Sequence, residues 1–139
     1  MSLVLDNSVA LAWCFADEQT PAVMDLLDRV AEQGAVAPML WPLEALNGLL
    51  AAERRRRVTP AKRIELTALL RALPIVLDAH TAEQAWEATA ALAERHGLTL
   101  YDAAYLELAQ RRRLPLATLD RDLRTAAAAV GVEVLGGAA

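Results

Sequence analysis

Short apolar runs alternate with longer amphipathic stretches along the chain, without a linker-like Ser/Gly/Pro tract and without a repeat. The short runs, Leu3–Leu5, Ala35–Ala37, Ile75–Leu77, Leu116–Thr118 and Val132–Leu135, have strand length. Between the first two, "TPAVMDLLDRVAEQG" offers Thr20 as a helix cap, Pro21 at the first helical position, and Val23, Leu26, Leu27 and Val30 at helical spacing. Gly34 then stops it. "TPAKRIELTALLRAL" repeats the device with Thr59 and Pro60, and its spacing predicts burial of Leu66, Leu69, Leu70 and Leu73. Thr81 to Gln84 reads as a capping box that opens a helix ending near Gly97. Strands separated by helices predict a parallel sheet covered on both faces, an α/β sandwich. The order of the strands is not legible in the alternation.

Length narrows the organisation. A chain of 139 residues and 15.0 kDa is expected to form one domain over residues 1–139, burying roughly 68–70% of its unfolded surface. The hydrophobic share of 55% and mean hydropathy of +0.24 call for a large core or a sticky face. No apolar run approaches the roughly 18 residues of a membrane span, and no charged segment precedes an apolar leader, so a cytoplasmic protein is expected. Cys14 is the only cysteine, which excludes an internal disulfide and a cysteine-based zinc site. His80 and His96 share no metal-ligand spacing.

Charge adds a second theme. Eighteen acids against fourteen bases leave −4, and Lys62 is the only lysine among those bases. Arg54 to Arg57 form one arginine run and Arg111 to Arg113 another. Both suit helix C-terminal ends, where the dipole favours cations, although the guanidinium fork also suits phosphates.

Four acids stand where the elements change. Asp6 ends the first apolar run in "LVLDNSVALAW", and Asp120 ends the fourth in "PLATLDRDL". Glu44 follows Pro42 by two residues in "PLEALNGLLAA", and Asp102 follows Thr99 by three in "GLTLYDAAYLELA". Each alone is an ordinary first-turn acid or N-cap. Parallel α/β sheets, however, bring strand C-termini and the next helix N-termini to one edge. Four carboxylates gathered there repel by about 4 kcal/mol for each pair at 4 Å in an effective dielectric of 20, more than helix dipoles of about half a charge offset. A bound divalent cation relieves that repulsion, and oxygen-only ligands indicate a hard ion, Mg²⁺ or Mn²⁺. Asn47, one turn beyond Glu44 and set among Leu43, Leu46 and Leu50, is positioned to hydrogen-bond it. Ser8 and Thr118, each two residues from a site Asp, serve either to orient it or as simple capping residues.

These stretches, in this order, resemble the PIN-domain nucleases, most closely the VapC-type toxins of toxin–antitoxin pairs. The matching pieces are "LVLDNSVALAW", "PLEALNGL", "GLTLYDAAYLELA" and "PLATLDRDL", which together span nearly the whole chain. The resemblance implies a metal pocket formed by Asp6, Glu44, Asp102 and Asp120, with Ser8, Asn47 and Thr118 beside it. Asp122 would be a further ligand through water or an exposed first-turn acid. It also implies a three-layer α/β/α sandwich around a five-stranded parallel sheet of order 3-2-1-4-5. The implied activity is Mg²⁺- or Mn²⁺-dependent hydrolysis of RNA, and the implied partners are a second copy in a homodimer and a VapB-type antitoxin. The first helix, with Leu11, Ala12, Trp13 and Phe15, and Met24 on the second, reads as core or as a groove for an antitoxin helix. A rival reading is a phosphoacceptor domain of the receiver type. Those domains place a Lys near the end of the sheet, whereas Lys62 lies mid-chain and no Lys follows it.

Overall fold

The computed structural model describes residues 2–137. Within them the apolar runs become β1 (Val4–Leu5), β2 (Ala35–Pro38), β3 (Ile75–Asp78), β4 (Leu116–Ala117) and β5 (Val134–Leu135). Neighbouring strands are all parallel, and their order is β3-β2-β1-β4-β5. The five-stranded 3-2-1-4-5 sheet implied by the resemblance is therefore present. Central β1 is the shared neighbour, with Val4 opposite both Val36 and Leu116.

The helices are α1 (Asn7–Cys14), α2 (Pro21–Gln33), α3 (Trp41–Arg54), α4 (Pro60–Ala72), α5 (Thr81–Gln84), α6 (Ala90–His96), α7 (Leu100–Arg112) and α8 (Arg121–Ala129). A π-helical turn, Ala85–Thr89, joins α5 to α6. From β1 the chain steps to β2 and β3 in one direction, then crosses to β4 and β5 in the other. Right-handed crossovers place α1 to α4 on one face and α5 to α8 on the opposite face. The packing agrees, with α1 against α3 and α3 against α4, and α7 against α6 and α8. This is the three-layer sandwich.

The N-terminal signals act as their chemistry dictates. Thr20 and Thr59 cap α2 and α4 by accepting from Val23 N and Lys62 N, each with Pro in the first turn. Gly97 takes the left-handed conformation that ends α6. Two expectations fail, and one left open is resolved. Leu69 is 58% exposed, because α4 turns only Leu66 and Leu70 fully inward. Thr81 lies inside α5 and caps nothing; its hydroxyl accepts from Met39 N and donates to Asp78 O, joining the ends of β2 and β3. The first helix supplies core: Ala12, Trp13 and Phe15 are buried, and the Trp13 indole donates to Val23 O at 2.8 Å. A buried indole N–H needs such a partner, and α2 provides it.

Helix α7 is buried continuously from Ala103 to Ala109, lying against β1, β2 and β4. It carries Glu107 into that environment. Arg111, one turn further, answers with its Nε 2.7 Å from Glu107 and its Nη2 2.6 Å from Asp78 at the end of β3. Arg113 closes α7 in the left-handed conformation. The second arginine run is thus a helix-end and ion-pair device. In the first run, Arg57 pairs with Asp17 and Glu18 and lies over Phe15, 4.3 Å from the ring centre. Arg55 ends α3, and Arg56 follows with φ of 60°.

Candidate active site

The sheet edge where β1 and β4 end holds the first carboxylate. Asp6 N donates to Ala117 O, so Asp6 stands beside the end of β4. Asp6 is 4% exposed and caps α1. Its Oδ2 accepts from Ser8 N at 3.3 Å, Ser8 Oγ at 2.5 Å and Thr118 Oγ1 at 2.9 Å. The two hydroxyls are fixed in turn, Ser8 Oγ by Leu119 N and Thr118 Oγ1 by Asp120 N. Ser8 and Thr118 therefore converge on one oxygen of Asp6. Thr118 reaches it from the neighbouring strand rather than acting on the carboxylate nearest in sequence.

The other three acids come from helix starts. Asp120 caps α8, its Oδ2 accepting from Leu123 N at 2.8 Å. Asp102 lies in the first turn of α7, where Thr99 Oγ1 accepts from its backbone N–H. Glu44 lies in the first turn of α3, and its Oε1 accepts from the Tyr105 hydroxyl at 2.7 Å. The local capping roles and the gathering of charge coexist, because a cap uses one oxygen and leaves the negative charge in place.

The charge is felt across the edge. Burial raises the Asp102 carboxyl to about 6, and Asp6, Asp120 and Glu44 all push the same way. Burial also raises Asp6, with Asp120 adding to it, and raises Glu44, with Asp6 adding to it. Among the described residues none of the four forms an ion pair with Lys, Arg or His. The edge is thus an uncompensated acidic cleft. Among the described residues no three His, Cys, Asp or Glu side chains already enclose one ion position. Mg²⁺ requires no closed protein cage, since it keeps several waters and takes one or two carboxylates plus substrate phosphates. The donor chemistry, all carboxylate oxygen and all of one sign, fits a hard divalent ion.

A stability consequence follows for the metal-free protein. With a folded value of about 6 against an ordinary 3.8, protonated Asp102 favours the folded state. The benefit is complete below pH 3.8 and vanishes as pH rises through about 6. Acidifying from pH 7 to 5 should therefore stabilise the protein. Asp102 is only half-buried, so solvent screening holds the gain to about 1 kcal/mol. Denaturant midpoints at the two pH values check it: Asp102→Asn should flatten the rise, and an equal rise in that variant refutes the assignment.

Two side chains depart from the sequence reading. Asn47 is exposed, as are Leu43 and Leu46 at 76% and 38%, so its surroundings are not the apolar face expected. Helix α3 buries Trp41, Ala45, Leu49 and Ala52 instead, and the partner of Glu44 is Tyr105. Tyr105 itself, which reaches Glu44 from α7, is the site contact that the sequence reading missed. Its signal was available: a tyrosine one turn after Asp102, in the same quoted stretch, carries a polar tip on an otherwise apolar run. Asp122 is exposed in the first turn of α8.

Comparison with known proteins gives a consistent answer. A family model described as PIN domain matches residues 3–129. Ribonuclease VapC3 of Pyrobaculum aerophilum is 33% identical over 132 residues, covering 88% of this chain and 92% of that protein. Among solved structures, PAE2754 from Pyrobaculum aerophilum aligns with a TM-score of 0.66 at 25% identity, over 91% of this chain and 84% of that one. A toxin–antitoxin complex from Klebsiella pneumoniae shares the fold, with a TM-score of 0.57 at 18% identity over 87% and 89%.

Proposed function

The chain belongs to the PIN-domain family, and from that premise we propose that it is a metal-dependent endoribonuclease, the toxin of a VapBC-type toxin–antitoxin pair. The observation that carries the reading is the acidic cleft itself: burial, and then the neighbouring carboxylates, raise the proton affinity of Asp6 after β1, Glu44 on α3 and Asp102 on α7, with Asp120 of α8 among the charges that Asp6 and Asp102 feel and no counter-cation among the described residues. Asp6, Glu44, Asp102 and Asp120 would hold Mg²⁺ or Mn²⁺. The chemistry such an ion supplies when bound is polarisation of the scissile phosphodiester and a lower pKa for the attacking water.

The chain's own residues prepare that chemistry. Ser8 and Thr118 hold Oδ2 of Asp6 by donated hydrogen bonds, which fixes the carboxylate plane. Asp120 is fixed by the first turn of α8, and Asp102 by its place at the start of α7. None of the four needs to move a proton, so a histidine base is not required. A phosphoacceptor role is not favoured, since Lys62 lies on α4 and pairs with Glu65, away from the acidic edge.

For partners, the reading takes RNA as substrate, a homodimer as the assembled form and a VapB-type antitoxin as the inhibitor, acting in the cytoplasm. Among the described residues no helix is long and apolar enough to cross a membrane. The antitoxin would act by laying its C-terminal segment in the groove of the acidic site.

The direct test is incubation of purified protein with total RNA plus Mn²⁺ or Mg²⁺, with EDTA as the control. Cleavage with the ion and none with EDTA is expected; intact RNA under both metals overturns the reading. In the same assay Arg55→Gln/Arg56→Gln should leave the salt dependence of cleavage unchanged, because these exposed arginines end α3. A slope flattened by about one unit per residue would put them on phosphates instead.

A further inference from the structure

Glu44 and Tyr105 form a pair whose purpose neither capping nor core packing explains. Tyr105 is the largest wholly buried side chain of the molecule, on the helix that lies across the sheet. A buried phenol needs a partner for its O–H. This one has chosen a carboxylate, Glu44 Oε1 at 2.7 Å, sixty-one residues away and on the helix layer of the opposite face. The distance is that of a charge-assisted O–H···O⁻ bond, stronger than a neutral one.

The geometry couples two site elements. Tyr105 is one helical turn beyond Asp102 on α7, so the helix that carries one carboxylate also grips another. Glu44 has three side-chain torsions, is only half-buried, and faces repulsion from Asp6 and Asp102. Left alone, it gains by swinging toward water. Only a donor behind it opposes that motion, and among the described residues Tyr105 is that donor. The bond occupies Oε1 and leaves Oε2 without a partner among the described residues.

We propose that Tyr105 is a positioning residue: its hydroxyl holds Glu44 in the acidic cleft by Oε1 and presents Oε2 to the divalent ion. The inference rests on the ribonuclease reading of the cleft and adds a residue to it. A group that orients a ligand in this way contributes about 10- to 100-fold to metal affinity.

The experiment is a titration of the isolated protein with Mn²⁺, reading free ion by its EPR signal, so that no RNA or turnover is involved. Wild type, Tyr105→Phe, Glu44→Gln and the double variant are compared, with thermal midpoints recorded for each. Tyr105→Phe keeps the ring that fills the core, and it is expected to weaken Mn²⁺ binding about tenfold. In the Glu44→Gln background the same change should have no further effect on Mn²⁺, because the carboxylate it positions is gone. Equal additional weakening there, or a Tyr105→Phe variant that loses thermal stability but binds Mn²⁺ as wild type does, overturns the positioning role while leaving the cleft reading intact. Failure of wild type to bind Mn²⁺, or Glu44→Gln binding as tightly as wild type, instead removes Glu44 from the metal site and the inference with it. If Tyr105→Phe does not fold, Tyr105→His, which retains a ring N–H, takes its place: binding closer to wild type than to Glu44→Gln is expected, and binding no better than Glu44→Gln counts as refutation.

Discussion

Asp102→Asn and Asp6→Asn should each lower RNA cleavage by about a thousandfold or more while the protein remains folded. The size follows from the several kcal/mol a metal centre contributes to transition-state stabilisation, since each 1.36 kcal/mol is tenfold in rate. The fold should survive for an electrostatic reason. Asp102 is held above its ordinary range by burial first and then by Asp6, Asp120 and Glu44, so its charge is a local cost in the ion-free protein. Making it neutral relieves three repulsions at once. At pH 7 the metal-free Asp102→Asn protein should therefore melt no lower than wild type, and added Mn²⁺ should raise its midpoint less. Asp6→Asn is the stricter case. Its Oδ2 accepts from Ser8 N, Ser8 Oγ and Thr118 Oγ1, and an amide placed with its oxygen on those donors keeps all three bonds. Initial rates at saturating RNA and thermal melts with and without Mn²⁺ check both variants. Cleavage within tenfold of wild type in either one refutes the site.

Arg111→Met should cost about 3 kcal/mol of stability, or roughly 10 °C in melting midpoint for a domain of this size. The side chain is the main partner of two buried acids, Asp78 and Glu107. Asp78 is 1% exposed and takes both ends of the guanidinium fork, at 3.1 and 2.6 Å, and Glu107 accepts from Nε and Nη2. Burial alone would raise the Asp78 carboxyl, but the hydrogen bonds and charge of Arg111 outweigh it and hold it below the usual range. Lowered in this way, Asp78 contributes stability that is present above its ordinary value of 3.8 and is lost as pH falls below it. Truncating Arg111 leaves Glu107 with no ion pair among the described residues and Asp78 with Arg112 at 3.7 Å as its nearest cation, which is far costlier than losing a surface ion pair. Arg112 supplies the comparison. Its nearest approach to Asp78 is 3.7 Å and it is more exposed, so Arg112→Met should cost well under half as much. Denaturant unfolding of the two variants at neutral pH measures the difference. Equal costs would show that the network is a property of overall charge and not of the fork. Because α7 also carries Asp102 and Tyr105, a loosened Arg111 anchor should in addition weaken Mn²⁺ binding slightly, even though Arg111 sits at the far end of that helix.

The four acids could be read from the chain because strand–helix junctions in a parallel sheet converge by topology: wherever β1 and β4 run side by side, Asp6 and Asp120 must end on the same edge. The helix starts at Thr20 and Thr59 were equally legible, since a cap is a local bond between a side chain and an N–H three residues on. The errors have a shared cause. One-turn spacing pairs Asn47 with Glu44, but the bond goes to Tyr105, sixty-one residues away. Spacing alone puts Leu69 on the core face, whereas α4 buries Leu66 and Leu70 and leaves Leu69 exposed. Thr81 looked like a cap and instead ties two strand ends together. Sequence periodicity reports which face of a helix can be buried and which groups are neighbours along one helix. Which carboxylate a buried phenol finds, which acid an arginine fork closes upon, and which leucine stays wet are decided by how helices from distant parts of the chain meet. Those encounters are long-range contacts, and only the packed tertiary structure determines them.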